Sequence, residues 1–305
     1  MQSIVIHQMI LFFVIFMVGL LSAKGGIIAK EGLPHIAKAV TKILMPVWIF
    51  SASYFNIDWP MIRDNAIIFL LSAASYMILS VVMKLVGTAM GLKGDRQKAF
   101  RFAFTFGNLG MIGIPLMLYL YPKTGGLFMA LFSIVDQGLF WTYGLYLATD
   151  SDQKTAFSFK NFVNPNVLAI FIGLALAGFG IKLPAVAGDI LNSLKNGFPA
   201  LGMLYLGALF YYSGWKDALK HKELYIGIGI KMILLPVVLG KLLLLTPLPE
   251  WIVYATALTI ALPTMTVVPM IASLYGNEGA YTSGITVVTL LAGIFTLPLV
   301  AGLIG

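Results

Sequence analysis

Between Phe102 and Pro122 the chain carries no charged residue. A run of that length would cross a bilayer, yet it cannot be one regular helix. Gly107, Gly110, Gly113 and Pro115 fall within it. Glycine is a poor helix former, and proline lacks a backbone donor and crowds the carbonyl one turn earlier. In hydrocarbon, broken backbone survives only where protein or a water-filled cavity satisfies its freed polar groups. One kinked helix in a bundle would account for a single such run. A second occurs in the uncharged stretch between Glu250 and Glu278, where Ala261-Leu-Pro263-Thr-Met-Thr-Val-Val-Pro269 repeats the pattern. Interrupted apolar segments in corresponding halves of a chain are the best sequence pointer to a transporter binding site.

The rest of the chain agrees with a membrane setting. Hydrophobic residues make up 59% of it and charged residues only 10%, a balance no soluble domain of this size carries on its surface. The net charge of +8 is spread through short loops, which suits membrane orientation better than nucleic acid. There is no cysteine, which excludes disulfides, thiolate nucleophiles and iron–sulfur clusters. His7, His35 and His221 show no metal-ligand spacing, and no nucleophile elbow or phosphate loop is present, so neither an enzyme nor a metal protein is expected. The first apolar run lacks a basic lead and a small-residue cleavage pattern and reads as a retained span.

At about 20 residues per crossing, spans are expected near 4–23, 34–53, 65–86, 99–121, 126–148, 162–181, 190–213, 224–245, 251–274 and 280–303. The odd-numbered loops hold Lys24, Lys30, Lys93, Arg96, Lys98, Lys154, Lys160, Lys216, Lys220 and Lys222, against Arg63, Lys123 and Lys182 in the even ones. Positive-inside bias places the odd loops in the cytoplasm and both termini outside. Ten spans divide into five and five around the polar stretch Asp150-Ser-Asp-Gln-Lys154, and an odd number per half inverts the second half. The expected fold is therefore an all-α integral membrane protein. Its first five-helix repeat covers 1–149, a cytoplasmic linker 150–160, and a second, inverted repeat 161–305.

Asp136 is the only charge between Lys123 and Asp150, with Gln137 beside it. A mid-membrane carboxylate is costly and marks a functional hypothesis, although a protonated or lysine-paired structural carboxyl is the plainer alternative. Lys231 lies deep in the eighth span and is a candidate partner for Asp136 or for a substrate anion. Lys84 and Lys241 read as snorkelling side chains, and Lys42 and Lys195 as interface anchors.

Gly107-Asn108 followed by Met111-Ile-Gly-Ile-Pro-Leu116 resembles the fourth-helix motif of the auxin efflux carrier family, and Ala261-Leu-Pro263 with Val268-Pro269 resembles its ninth-helix crossover. Met45-Pro46-Val47 with Phe50-Ser51, Gln137 four residues before Trp141, and Asn164-Pro165-Asn166 extend the resemblance over nearly the whole chain. It implies the general plan of the sodium–bile acid symporters, with spans 1, 2, 6 and 7 as a scaffold and the other six as a transport domain in which broken helices four and nine cross. It also implies a central substrate site at Gly107, Asn108, Met111, Gln137, Pro263, Thr264 and Thr266, with Asp136 as proton carrier or cation ligand. Plant members have proline where this chain has Gly107, and an apolar residue where it has Asp136, so auxin chemistry does not transfer directly. Bacterial relatives are commonly described as malate or malonate permeases. The expectation is an inner-membrane secondary transporter of small organic anions with an elevator-like movement. It needs no cofactor beyond a coupling proton or, alternatively, sodium; its partners are the substrate and the bilayer, and a homodimer is left open. A membrane-embedded sensor without net flux is the rival from another class.

Overall fold

A computed structural model describes residues 2–55, 59–151, 165–213 and 215–305; Asn164 and most of the expected linker lie outside the described residues. Among the described residues the chain is helical and has no strand, only two isolated bridges. Five helical stretches are long and apolar enough to cross a membrane: Lys30–Ser51, Ile67–Ala89, Gly125–Ala148, Lys222–Leu243 and Gly279–Ile304. Between and before them lie Gln2–Lys24, Gly94–Thr105, Ile114–Leu120, Pro165–Gly178, Ala185–Tyr212, Glu250–Ala261 and Val268–Leu274. Exposed Ile10, Val14, Leu70, Leu85, Phe171 and Phe295 give these helices the lipid-facing surface of a multi-pass membrane protein.

Prolines shape several helices without ending them. A wide, π-type turn runs over Val40–Leu44, Leu109–Gly113 and Ile230–Leu234, in each case just ahead of Pro46, Pro115 or Pro236. The residue four before each proline (Lys42, Met111, Met232) sits within that turn. Its carbonyl has lost its donor and faces the proline ring, and widening the turn relieves both problems. The turn at Phe140–Gly144 has no following proline, and nothing in the structure explains it.

Two groups of helices can be traced by packing. Gln2–Lys24 runs along Ala185–Tyr212, and Pro165–Gly178 along Met45–Tyr54, which also touches Ala185–Tyr212. The first pair approaches closely because a Cβ at Gly19 would overlap the Leu204 carbonyl and one at Gly207 the Phe16 carbonyl. Small residues at a membrane helix contact permit this dispersion-rich packing, where the hydrophobic effect gives no help.

The second group is tied together at one end. Asn277 Nδ2 donates to the Leu147 carbonyl at 2.8 Å, and Asp150 N–H to the Tyr275 carbonyl at 3.2 Å. Ser151 gives its backbone N–H and its hydroxyl to Asp95 at 2.9 and 2.6 Å. Arg96 bridges Glu223 and Glu278 at 3.5 and 3.2 Å, with its guanidinium over the Tyr281 ring. Glu278 is the one non-glycine residue with positive φ among those described, at 33°. That conformation is strained, and here it presents the carboxylate to Arg96.

Candidate functional site

The two interrupted helices meet. Gly94–Thr105 ends where Phe106 turns extended, and the chain becomes helical again at Leu109 with Asn108 as the capping residue. Glu250–Ala261 ends at Leu262, whose extended backbone is what a following proline enforces. Gly107 and Thr264 form an antiparallel bridge, flanked by Asn108 N–H to the Pro263 carbonyl at 2.8 Å and Met265 N–H to the Phe106 carbonyl at 3.0 Å. Each break thus satisfies backbone groups of the other, which the absence of water in a bilayer requires. Gly107 allows the approach, since a Cβ there would lie 3.2 Å from Leu262 Cβ.

Side chains complete most of the junction. Asn108 Oδ1 accepts from Met111 N–H at 3.3 Å, Thr264 N–H donates to Thr289 Oγ1 at 3.1 Å, and the Thr266 hydroxyl rests on Met111 Sδ at 3.3 Å. Lys231, 1% exposed, gives its ammonium to the Leu262 carbonyl. That carbonyl lies at the C-terminal, partially negative end of Glu250–Ala261, where a cation is favoured. Three polar atoms around the junction remain buried without a hydrogen-bond partner: Asn108 Nδ2 and the hydroxyls of Thr105 and Thr264. A buried donor left unpaired costs about 1–3 kcal/mol.

Asp136 is fully buried and engaged through both oxygens. The Tyr76 hydroxyl donates to Oδ1, and Gln137 Nε2 donates to Oδ2 at 2.8 Å. Gln137 in turn accepts at Oε1 from Trp141 Nε1 at 3.3 Å. The Tyr76 ring packs against Phe106 and Phe132, with centroids 5.6 and 5.8 Å away. Carboxyl, tyrosine and Phe106 therefore form a packed chain leading to the junction, where the Phe106 carbonyl is one of the paired groups.

A cavity of about 870 Å³ lies beside this assembly. Gln137, Phe140, Trp141, Met265 and Val267 line it, as do Tyr205 and, toward the connections at 24–33 and 275–279, Lys30, Lys38, Lys42 and Gly279. Of the residues nominated from sequence, Gln137 alone lines it. Gly107, Asn108, Pro263 and Thr264 are brought together by backbone pairing, and Met111 and Thr266 by their mutual contact. No ion pair joins Lys231 to Asp136 among the described residues; the lysine is held by Leu262. Tyr76 and Thr289 were not nominated. A tyrosine in an apolar helix usually packs, and the only signal for Tyr76 is that a buried carboxyl needs a donor.

Outside the membrane-spanning stretches, Asp95 is perturbed. The hydrogen bond from the Ser151 hydroxyl, reinforced by its backbone N–H and by Lys98, holds the carboxyl below its ordinary range against a weaker opposing effect of burial.

A family model described as membrane transport protein matches residues 4–301 of the chain. No curated protein matches it.

Proposed function

Because the chain belongs to the auxin efflux carrier family of membrane transport proteins, we propose that it is a secondary active transporter of small organic anions, of the malate or malonate type, working by alternating access and driven by protons. The observation that carries this reading is the junction of the two breaks with its buried, unpartnered Asn108 amide nitrogen. Broken helices at mid-membrane expose amide groups of partial positive charge without a full cation there. A carboxylate oxygen would satisfy Asn108 Nδ2 with a charge-assisted hydrogen bond, and Gln137, reached from the cavity, offers a second amide.

The architecture is read as ten spans in two inverted repeats of five, with the breaks as crossing helices, both termini outside and residues 150–160 in the cytoplasm of a bacterial inner membrane. The packing of Gln2–Lys24, Met45–Tyr54, Pro165–Gly178 and Ala185–Tyr212 supports a scaffold. The bonds joining Asp95 to Ser151, and Arg96 to Glu223 and Glu278, support a second group moving as one body, as an elevator requires.

Lys231 favours protons over sodium. Freed carbonyls at broken helices are where a coupling sodium is coordinated, and the Leu262 carbonyl already holds an ammonium. Asp136, with two donors that can rearrange, is then the proton carrier. The test is uptake of radiolabelled malonate into proteoliposomes at clamped membrane potential. An inward proton gradient should drive accumulation equally well in sodium and in choline. Accumulation that requires sodium would overturn the proton assignment. Malonate binding without accumulation under any gradient would make the protein a sensor.

A further inference from the structure

We infer that Lys38 and Lys42, with Lys30 at the cavity mouth, form a docking site for soluble anions carrying two or more negative charges, occupied before the anion reaches Gln137. The cavity's volume of about 870 Å³ lies in the range of ligand pockets. Among the described residues its lining includes Lys30, Lys38 and Lys42 and no aspartate or glutamate. The polar groups that accompany the lysines, among them Thr41, Ser273 and Ser283, are neutral. A cavity of one sign with low-dielectric walls focuses the field and concentrates the opposite charge.

The placement of the pair adds to this. Lys38 and Lys42 are four residues apart on the helical stretch Lys30–Ser51, one turn along the same face, where like charges repel and weaken the helix slightly. None of the ion pairs among the described residues involves Lys30, Lys38 or Lys42. Ion pairs among the described residues hold Arg63, Arg96, Lys98 and Lys220 instead. Two lysines one turn apart that both line the cavity fit the two carboxylates of a short dianion, whereas a monoanion can engage only one at a time. The cavity then runs inward to Gln137 and Trp141, so an anion held at the lysines is already in the compartment that Gln137 lines.

Anionic lipid headgroups share this chemistry, since lysine stems can lie in lipid with their amines at the interface. The soluble dianion is preferred because the lysines line a cavity shared with Gln137 and Trp141.

The test uses the full chain with Lys38→Gln and Lys42→Gln combined, neither residue being among the groups placed at the junction. Its binding arm stands apart from the transport reading on which its kinetic arm rests. At low ionic strength malonate should raise the melting temperature of the purified wild-type protein, and the double variant should lose most of that shift. An equal shift in both proteins, or no shift in either, overturns the docking site.

In proteoliposomes the double variant should raise KM for malonate about tenfold and for acetate about threefold, with kcat unchanged, since each ligand charge loses a similar factor. Added salt should raise the wild-type KM and erase the difference. Equal increases for the two ligands would overturn it. Liposomes of phosphatidylcholine alone and of phosphatidylcholine with phosphatidylglycerol separate the sources. An effect of the substitutions seen only with phosphatidylglycerol assigns the lysines to lipid and overturns the proposal. Should malonate stabilise the protein through these lysines while no uptake occurs, the docking site stands and the transporter reading falls.

Discussion

The two helix breaks bond to one another through the same kind of backbone contact but carry opposite chemistry. The first, around Gly107 and Asn108, is opened by glycine, capped by an amide, and linked through Phe106 and Tyr76 to the buried carboxyl of Asp136. The second, around Pro263, is opened by proline and holds the Lys231 ammonium on the Leu262 carbonyl. The second break thus presents an amine on a carbonyl acceptor and no carboxyl. The carboxyl near the first is held by two donors, Tyr76 and Gln137. On the proposed reading, ligand recognition and ion coupling belong to the first half of the chain, and the second half contributes a buried lysine.

The largest expected effect tests which break holds the ligand. Asn108→Ala should weaken malonate binding by about 1.5–3 kcal/mol, the worth of a hydrogen bond to a charged group. Thr264→Val, across the junction, should leave malonate binding nearly unchanged, since its hydroxyl has no hydrogen-bond partner and the backbone N–H that Thr289 accepts from is kept. Equal losses by titration calorimetry would erase the asymmetry between the breaks.

Next in size is the junction itself. Gly107→Ala places a methyl 3.2 Å from Leu262 Cβ and should lower stability by about 1–3 kcal/mol through overpacking. An unchanged melting temperature would mean that the breaks yield easily and that close contact is not what holds them.

The smallest effect lies outside the membrane. Asp95 is held below its ordinary pKa in the folded protein, so its contribution is present above the unfolded value of about 3.9 and is lost as pH falls through the folded value. Ser151→Ala removes the main cause and should flatten the acid side of the stability profile only slightly, since the carboxyl is partly solvent-exposed. A large change would show that this contact holds more of that end of the helix group together than its partial exposure suggests.

Much of this was legible in the sequence, and what was not has a physical reason. The breaks showed themselves because glycine and proline act on the backbone whatever the tertiary context, and Asp136 because a charge in an apolar run stands out. The pairing of the breaks was invisible: Asn108 N–H to Pro263 C=O and Met265 N–H to Phe106 C=O use groups that nearly every residue has. The same applies to Lys231, for which the sequence offered Asp136 or a substrate anion as partner, whereas the structure sets it on a backbone carbonyl. Lys42 was expected as an interface anchor, yet it lines the cavity; a span's boundary does not say which face a side chain takes. The π-type turns follow from Pro46, Pro115 and Pro236 once the crowded carbonyl is considered, whereas that at Phe140–Gly144 leaves no trace in composition.

The proposed contrast, a carboxyl that carries the coupling proton at one break and a lysine held on a carbonyl at the other, is tested most directly by Asp136→Asn in proteoliposomes. The amide keeps the side chain's shape and mimics the protonated form. Exchange of labelled for unlabelled malonate should persist near the wild-type rate, while accumulation driven by a proton gradient should disappear. Accumulation at the wild-type level in Asp136→Asn would contradict the account and leave Asp136 as a packing residue.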